Sequence, residues 1–419
     1  MIDAERRIAT LAHTPHLELL RQRFEENYGS SERATLVVAP GRVNLMGDHI
    51  DYNGLSVLPM AIQRHMALLY RERDDRSVRL VSSDPRFPNR EFQLADQIAP
   101  GEEGDWSDYA RAACQAIVQR YQVGRGFDAV IHSDIPIAAG LASSSALLVA
   151  SALAALHAND VWTEKMELAV VLAEAEHYVG TRGGGMDQAI CLAARRHSAS
   201  RIDFDPLRLT AHPIPPEWHF VIAFSLVRAE KSGAALETYN LRTEESGQAL
   251  QGMTDSLGHS GEIDSYSDLL AEYHANELIA KSGDVLDETL MRRFVHVVTE
   301  GMRVRQAEKA LHSYDMRAFG ELMSESHESL RESFEVSTPE LDELVEIAVR
   351  AGAVGARLTG AGLGGSVVAL CSDSKSKKVL KALADRFYKK RNKRRDLGAA
   401  LDDLMFVAEP SAGASVTPL

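Results

Sequence analysis

The sequence predicts an α+β fold in two domains. Strand-like and helix-like stretches are mixed without the strict β–α–β alternation of a parallel sheet. The chain of 419 residues is too long for one ordinary core, and its pattern turns helix-rich after roughly residue 205. The division is therefore expected between 1–205 and 206–419.

The elements follow in order. Residues 15–28 form a helical pattern, with Thr14 as N-cap and Pro15 at the first helical position. Residues 35–39 read as a strand that Pro40-Gly41 would stop, and 41–54 as a polar loop. Strand patterns cover 57–70 and 78–82. A helix is expected over 108–121, and a strand over 127–132 that Asp134-Ile135-Pro136 ends. The run 146–158 is apolar nearly all round, which predicts a buried helix. Helices are also expected over 165–179 and 187–195, with a strand over 220–227. Residues 264–351 read as mainly helical. Residues 356–371 read as strand, glycine loop and strand, followed by a helix over 375–390 and a last strand over 404–408.

Composition narrows the function. Acidic residues number 60 and basic residues 46, for a net charge of −14. A nucleic-acid binder would carry a basic excess, and the run Lys389 to Arg395 reads as a solvated helix end instead. A polyanion would have to be held locally, because the overall field opposes it. The three cysteines, Cys114, Cys191 and Cys371, form no Cys-x-x-Cys pair, so neither zinc nor a disulfide framework is indicated. The start of the sequence shows no signal peptide, and no apolar run reaches the about 18 residues of a membrane span. The expected compartment is the cytoplasm.

Four segments carry chemistry. The first, Gly41 to Gly54, gathers Arg42, Asn44, Asp48, His49, Asp51 and Asn53. A polyol needs such a set, since each hydroxyl both donates and accepts and carboxylates accept well. A solvated turn-rich loop and metal ligation by Asp48, His49 and Asp51 are the alternatives. The second, Gly140-Leu141-Ala142-Ser143-Ser144-Ser145, precedes the buried helix. Helix-start amides lack internal partners and favour anions, so this is a phosphate-binding turn. It lacks the Gly-Lys-Ser/Thr ending of a Walker A motif, and a plain serine N-cap is the simpler alternative. The third is Glu176 to Gln188, with Gly183-Gly184-Gly185 and then Asp187, whose simpler role is to cap its helix. The fourth, Arg357 to Ser366, matches G-x-G-x-x-G at Gly360, Gly362 and Gly365. A strand follows it rather than a helix, so it is not a dinucleotide site. A glycine wall against a ligand or the second segment fits better.

Taken together these segments resemble the galactokinase family of the GHMP kinase superfamily. Arg42 to Gly54 is similar to the galactokinase signature, Gly140 to Ala146 to the GHMP phosphate loop, and Thr359 to Gly365 to the third, glycine-rich motif. Further matches lie at Met186-Asp187-Gln188, Tyr239-Asn240-Leu241-Arg242 and Ser326-His327. The resemblance implies a two-domain GHMP kinase fold, with a ribosomal-S5-like N-terminal domain and a ferredoxin-like helical C-terminal domain. It implies ATP-dependent phosphorylation of the anomeric hydroxyl of galactose, with Mg2+.

By the family pattern Asp187 faces the sugar O1 and Arg42 pairs with it. Asp48, His49, Asp51, Gly184 and Tyr239 hold the ring, and Gly140, Leu141, Ala142, Ser143, Ser144 and Ser145 cradle the triphosphate. Ser145 and Glu176 hold the metal, and Trp106 and Tyr109 stand where the family lines the adenine pocket. The expected partners are a small sugar and ATP, with no nucleic acid and no membrane, and the protein is expected to be a monomer. The pattern departs at Asp48 (Glu in the signature), Ile50 (Thr), Leu55 (Gly) and Ala142 (Ser). The run Gly183-Gly184-Gly185-Met186-Asp187-Gln188, with Ile50, resembles the branch that holds N-acetylgalactosamine kinases and plant and fungal galactokinases; with Asp48 it leaves N-acetylgalactosamine as the alternative substrate. A sensor that binds sugar and ATP without turnover is a further alternative, as is a kinase for mevalonate or homoserine. The Asp48-His49-Ile50-Asp51 set argues against the last of these.

Overall fold

The computed structural model describes residues 16–229, 233–392 and 401–419. Thr14 and Pro15, expected to start the first helix, lie outside the described residues, as does the basic run beyond 392.

The first half is built on a six-stranded sheet in the order β12-β1-β2-β5-β3-β4. Its strands are β1 (Thr35–Met46), β2 (Leu58–Glu72), β3 (Ser77–Ser82), β4 (Arg90–Gln93), β5 (Phe127–Ser133) and β12 (Ser415–Pro418). All neighbours are antiparallel except β3 and β5. Alternation of side chains along each strand gives the sheet two apolar faces. Leu36, Leu69 and Val130 meet Leu20 and Phe24 of α1 (Leu17–Tyr28) on one face. Val37, Leu68 and Tyr70 join the main core on the other.

That second face packs on α3 (Ser143–Ala158) and α5 (Met186–Ala193), with α2 (Asp108–Tyr121) and α4 (Lys165–Ala175) beyond them. Helix α3 is buried on nearly every side, as its composition requires. A hairpin of β6 (Ser198–Phe204) and β7 (Leu207–Pro213) leads to the second half.

The second sheet, in the order β11-β8-β10-β9, is antiparallel throughout. It comprises β8 (Trp218–Phe224), β9 (Gly355–Thr359), β10 (Ser366–Ser372) and β11 (Met405–Ala408). Helices α6 (Gly233–Leu257), α7 (Tyr266–Glu272), α8 (Ala275–Val285), α9 (Glu288–His312), α10 (Met316–Glu332), α11 (Pro339–Ala351) and α12 (Asp373–Leu383) complete this half. One apolar cluster runs through both halves without a break.

Several expectations are corrected. Pro40-Gly41 does not stop β1: Pro40 pairs with His65, Arg42 with Ala61, and a bulge absorbs the two extra residues of β2. A proline without an N–H is tolerated where the ladder is already broken. Arg42 donates its backbone N–H to Leu141 O at 3.1 Å instead. Residues 41–46, expected as loop, are thus strand, and only Asp51–Asn53 forms a 3-10 turn. The helix expected from 165 to 179 ends at Ala175, and a 3-10 turn over Glu176–Val179 follows. Helix α6 and the β6–β7 hairpin were not anticipated as elements. The last strand, β12, returns to the first sheet, so the chain crosses the expected boundary more than once.

Candidate active site

The four segments converge on one cleft. Close backbone packing forms the seams. A Cβ on Gly184 would stand 2.3 Å from the Asp51 carbonyl carbon, and one on Gly360 would stand 2.8 Å from Gly140 O. Only glycine lets these chains meet. Gly184 N–H donates to Asp51 Oδ2 at 3.1 Å, tying the third segment to the first. Ser366 Oγ donates to Ala139 O at 2.7 Å, tying the fourth to the second. Thr359 Oγ1 accepts from Asn44 N at 2.9 Å and donates to Asn44 O at 3.0 Å, tying the fourth to the first.

At the centre Arg42 grips Asp187. Nε donates to Oδ1 at 2.7 Å and Nη2 to Oδ2 at 2.9 Å, and Nη1 reaches Gly140 O. The planar fork matches the carboxylate. Burial opposes the guanidinium charge, but Asp187, Asp48 and Asp51 outweigh it and raise its pKa. Asp187 does not cap its helix: Gly185, in the left-handed region at φ 95°, holds that position without a side-chain bond. The Asp187 side chain is free to face the cleft.

The serine turn has its own logic. Ala142, at φ 60°, is the N-cap residue of α3 and makes no side-chain cap bond, so the helix begins at Ser143 with its first amides free of internal partners. The serines are therefore not N-caps, which removes the simpler alternative. Gly140, Leu141, Ala142, Ser143 and Ser144 line the cleft. Ser145 is buried behind them and donates to Glu176 Oε1 at 2.7 Å. Two oxygen side chains so placed at a helix start suit a hard divalent cation.

His49 and Asp51 line the cleft beside Tyr239. The His49 ring bridges Tyr52 Oη at 2.8 Å and Ala361 O at 3.1 Å, and it lies against Phe334 and Tyr239. Burial holds its pKa down at about 3, so the ring is neutral. Burial, then repulsion from Asp187, pushes Asp51 up to about 6.

Asp48 lines the cleft too, but protein donors already occupy it. Asn44 Nδ2 and Gly360 N donate to Oδ1 at 2.8 and 3.2 Å, and Arg357 Nη2 to Oδ2 at 2.5 Å. A carboxylate offers about four lone-pair sites, so little acceptor capacity is left for a ligand. Behind it Glu300 accepts from Gly47 N, Arg303 and Ser326. Burial opposes ionisation of Glu300, yet Arg303 and Arg357 hold its pKa at about 2.

Sequence reasoning missed this buried network, although Arg357 opens the fourth segment and Asn44 sits in the first. It also missed Thr181 and Gln188, which line the cleft with buried polar atoms that have no protein partner. Such atoms point toward a ligand. Trp106 and Tyr109 do not line the cleft. Trp106 Nε1 donates to Pro88 O at 3.0 Å, and both rings pack against the main core at the start of α2.

Comparison with known proteins agrees with this geometry. The galactokinase galactose-binding signature matches residues 22–72, the GHMP kinases N terminal domain 108–195, and the GHMP kinases C terminal model 307–390. The galactokinase of Actinobacillus pleuropneumoniae serotype 5b is 33% identical over 376 residues, covering 89% of this chain and 94% of its own. That of Roseiflexus sp. is 36% identical over 371 residues, covering 88% and 91%. The crystal structure of Lactococcus lactis galactokinase complexed with galactose superposes with a TM-score of 0.84 at 29% identity, covering 95% of this chain and 99% of that one. Methanococcus jannaschii mevalonate kinase shares the fold, with a TM-score of 0.58 at 21% identity.

Fold and site together define a GHMP kinase, a phosphotransferase acting on a small molecule. Within that class the chain belongs to the galactokinase family, whose members use ATP to phosphorylate a sugar hydroxyl.

Proposed function

We propose that this chain transfers the γ-phosphoryl group of ATP to O1 of D-galactose, giving galactose 1-phosphate and ADP. The observation that carries the reading is the Arg42–Asp187 pair, placed between the sugar-signature segment and the serine turn. The full-length likeness to galactokinases and the signature match at 22–72 support galactose as the substrate.

Phosphoryl transfer asks chiefly for position and charge balance. In this reading Asp187 orients the sugar O1–H and takes its proton. Arg42 orients the Asp187 carboxylate and, through Gly140 O, fixes its distance from the phosphate turn. The free amides at the start of α3 and the Ser143 and Ser144 hydroxyls receive the triphosphate oxygens. Asp51 and Tyr239 hold the ring hydroxyls, with the neutral His49 ring and the Gly184 backbone shaping that wall. Asp48 acts mainly as a strut between Arg357 and the signature strand.

Ser145 and Glu176 would hold Mg2+, which supplies charge neutralisation on the phosphates when bound. Trp106 and Tyr109 are assigned to the adenine end. That reading rests on α2, which starts beside them and packs on α3 and on the 3-10 turn that contains Glu176.

The test is a panel of hexoses with ATP and Mg2+, scored for ADP release and for the phosphorylated carbon by NMR. Galactose phosphorylated at C1 is expected. A strong preference for N-acetylgalactosamine would replace the substrate and keep the reaction. Sugar binding without ADP release from any hexose would overturn the proposal in favour of a sensor.

A further inference from the structure

Away from the cleft, three side chains of metal-binding type meet where β7 packs on α9. His212 comes from β7. Glu308 and His312 lie four residues apart on α9, so their side chains share a face. His212 Nδ1 is 2.8 Å from His312 Nε2, and His212 Nε2 is 3.4 Å from Glu308 Oε1. One ligand atom from each residue can be chosen so that all lie within 4.8 Å of one another.

His212 is only 4% exposed, and its Nε2 has no hydrogen-bond partner. An unsatisfied buried nitrogen is costly, and the polar atom it faces is Glu308 Oε1, at 3.4 Å.

We propose that His212, Glu308 and His312 form a Zn2+ site that clips β7 to α9. Two imidazoles and a carboxylate are a zinc donor set, whereas Mg2+ and Ca2+ select oxygen ligands. His212 binds through Nε2: a Zn–N and a Zn–O bond of about 2.0–2.2 Å at a tetrahedral angle separate the two ligand atoms by about 3.4 Å, the spacing of His212 Nε2 and Glu308 Oε1. The His312 ring must then turn from its 2.8 Å contact with His212 Nδ1 to bring a nitrogen toward the same point. His312 is exposed and can make that movement, and its exposed edge leaves the fourth position to water.

Arg201 supplies the outer shell. Its Nη1 donates to Glu308 Oε2 at 3.1 Å, which fixes the carboxylate and leaves Oε1 toward the histidines. Asp203, 2.8 Å from Arg201, offsets the guanidinium charge that would otherwise oppose a cation. Bound metal would lock the C-terminal end of α9, the helix that also carries the buried Glu300 network.

The test uses the full chain, stripped with chelator and dialysed against buffered Zn2+ with Mg2+ in excess. One Zn2+ per chain is expected, with a rise in Tm. His312→Ala should weaken zinc binding by more than about tenfold, the loss that even an outer-shell partner causes. The same variant should abolish the rise in Tm while leaving kinase turnover and the metal-free melting curve unchanged. Glu308→Gln should weaken zinc binding as well. Equal stoichiometry and affinity in wild type and His312→Ala would overturn the proposal. Substitution of Co2+ into the wild-type chain gives a readout that needs no variant. Intense tetrahedral absorption bands are expected, and weak octahedral bands alone would equally overturn the site.

Discussion

Arg42 holds Asp187 by two parallel hydrogen bonds of 2.7 and 2.9 Å, and the same guanidinium contacts Gly140 O of the serine turn. One side chain thus sets the spacing between the proposed proton acceptor and the proposed phosphate site. Its own position comes from β1, where Arg42 follows the register shift against β2 and donates its backbone N–H to Leu141 O.

Asp187→Asn keeps the shape and removes the charge. Turnover should fall about 10²- to 10⁴-fold, the range of a lost general base, while sugar affinity measured by calorimetry changes little. Turnover within tenfold of wild type, a barrier change below roughly 1.4 kcal/mol, would remove Asp187 from the chemistry. The variant should also melt earlier, since it leaves the buried Arg42 charge without its partner.

Asp51 gives a pH signature. Its pKa of about 6 in the fold stands above the ordinary 3.8, through burial first and Asp187 second. The folded state therefore binds this proton more tightly than the unfolded chain. The associated stability is present below about pH 4 and is lost as pH rises through about 6. Asp51→Asn should stabilise the protein at pH 7.5 by about 1–3 kcal/mol and have almost no such effect at pH 4. Thermal melts of both proteins across that range check the sign. The sugar KM of wild type should rise below about pH 6 as Asp51 takes up its proton, and a flat KM profile would remove Asp51 from ring binding.

Gly184→Ala forces a Cβ to within 2.3 Å of the Asp51 carbonyl carbon. The third segment must move off the first. A loss of about 1–3 kcal/mol in stability is expected, along with a higher sugar KM, because Asp51 and Asp187 lose their relative placement. Urea titration and steady-state kinetics read the two effects separately.

Arg357→Met leaves Asp48 buried without its cation, since the pair is fully enclosed at 0% and 2% side-chain exposure. The expected destabilisation is about 3–5 kcal/mol. Adding Asp48→Asn should recover part of that loss, and the double-mutant cycle measures the coupling. Additive effects would show that the pair is not coupled.

The site was legible in the sequence wherever its chemistry is local. The signature strand and loop, the serine turn, the Gly183-Gly184-Gly185 run and the fourth glycine segment each gather unusual residues within a short stretch, and the cleft brings all four together. Helix α3 was legible because an all-apolar surface has no place but the interior. Elements whose stability is not local were harder to read. Pro40-Gly41 carries a strong local stop signal, but pairing with β2 continues past it. Strand β12 is only four residues long, and among the described residues β1 is its one pairing partner.

What the sequence alone determined was the class of chemistry, the residues available for it and the α+β make-up of the chain. Those follow from residue type and short-range spacing. Only the tertiary structure decided which carboxylate remains open to a ligand. Asp48 and Asp51 look equivalent along the chain, yet Asp48 is taken up by Asn44, Arg357 and Gly360, while Asp51 accepts the Gly184 amide beside Asp187. The reason is physical: a buried carboxylate is governed by the donors and charges within a few ångströms of it, and here, Asn44 apart, the donors named come from residues more than a hundred positions away.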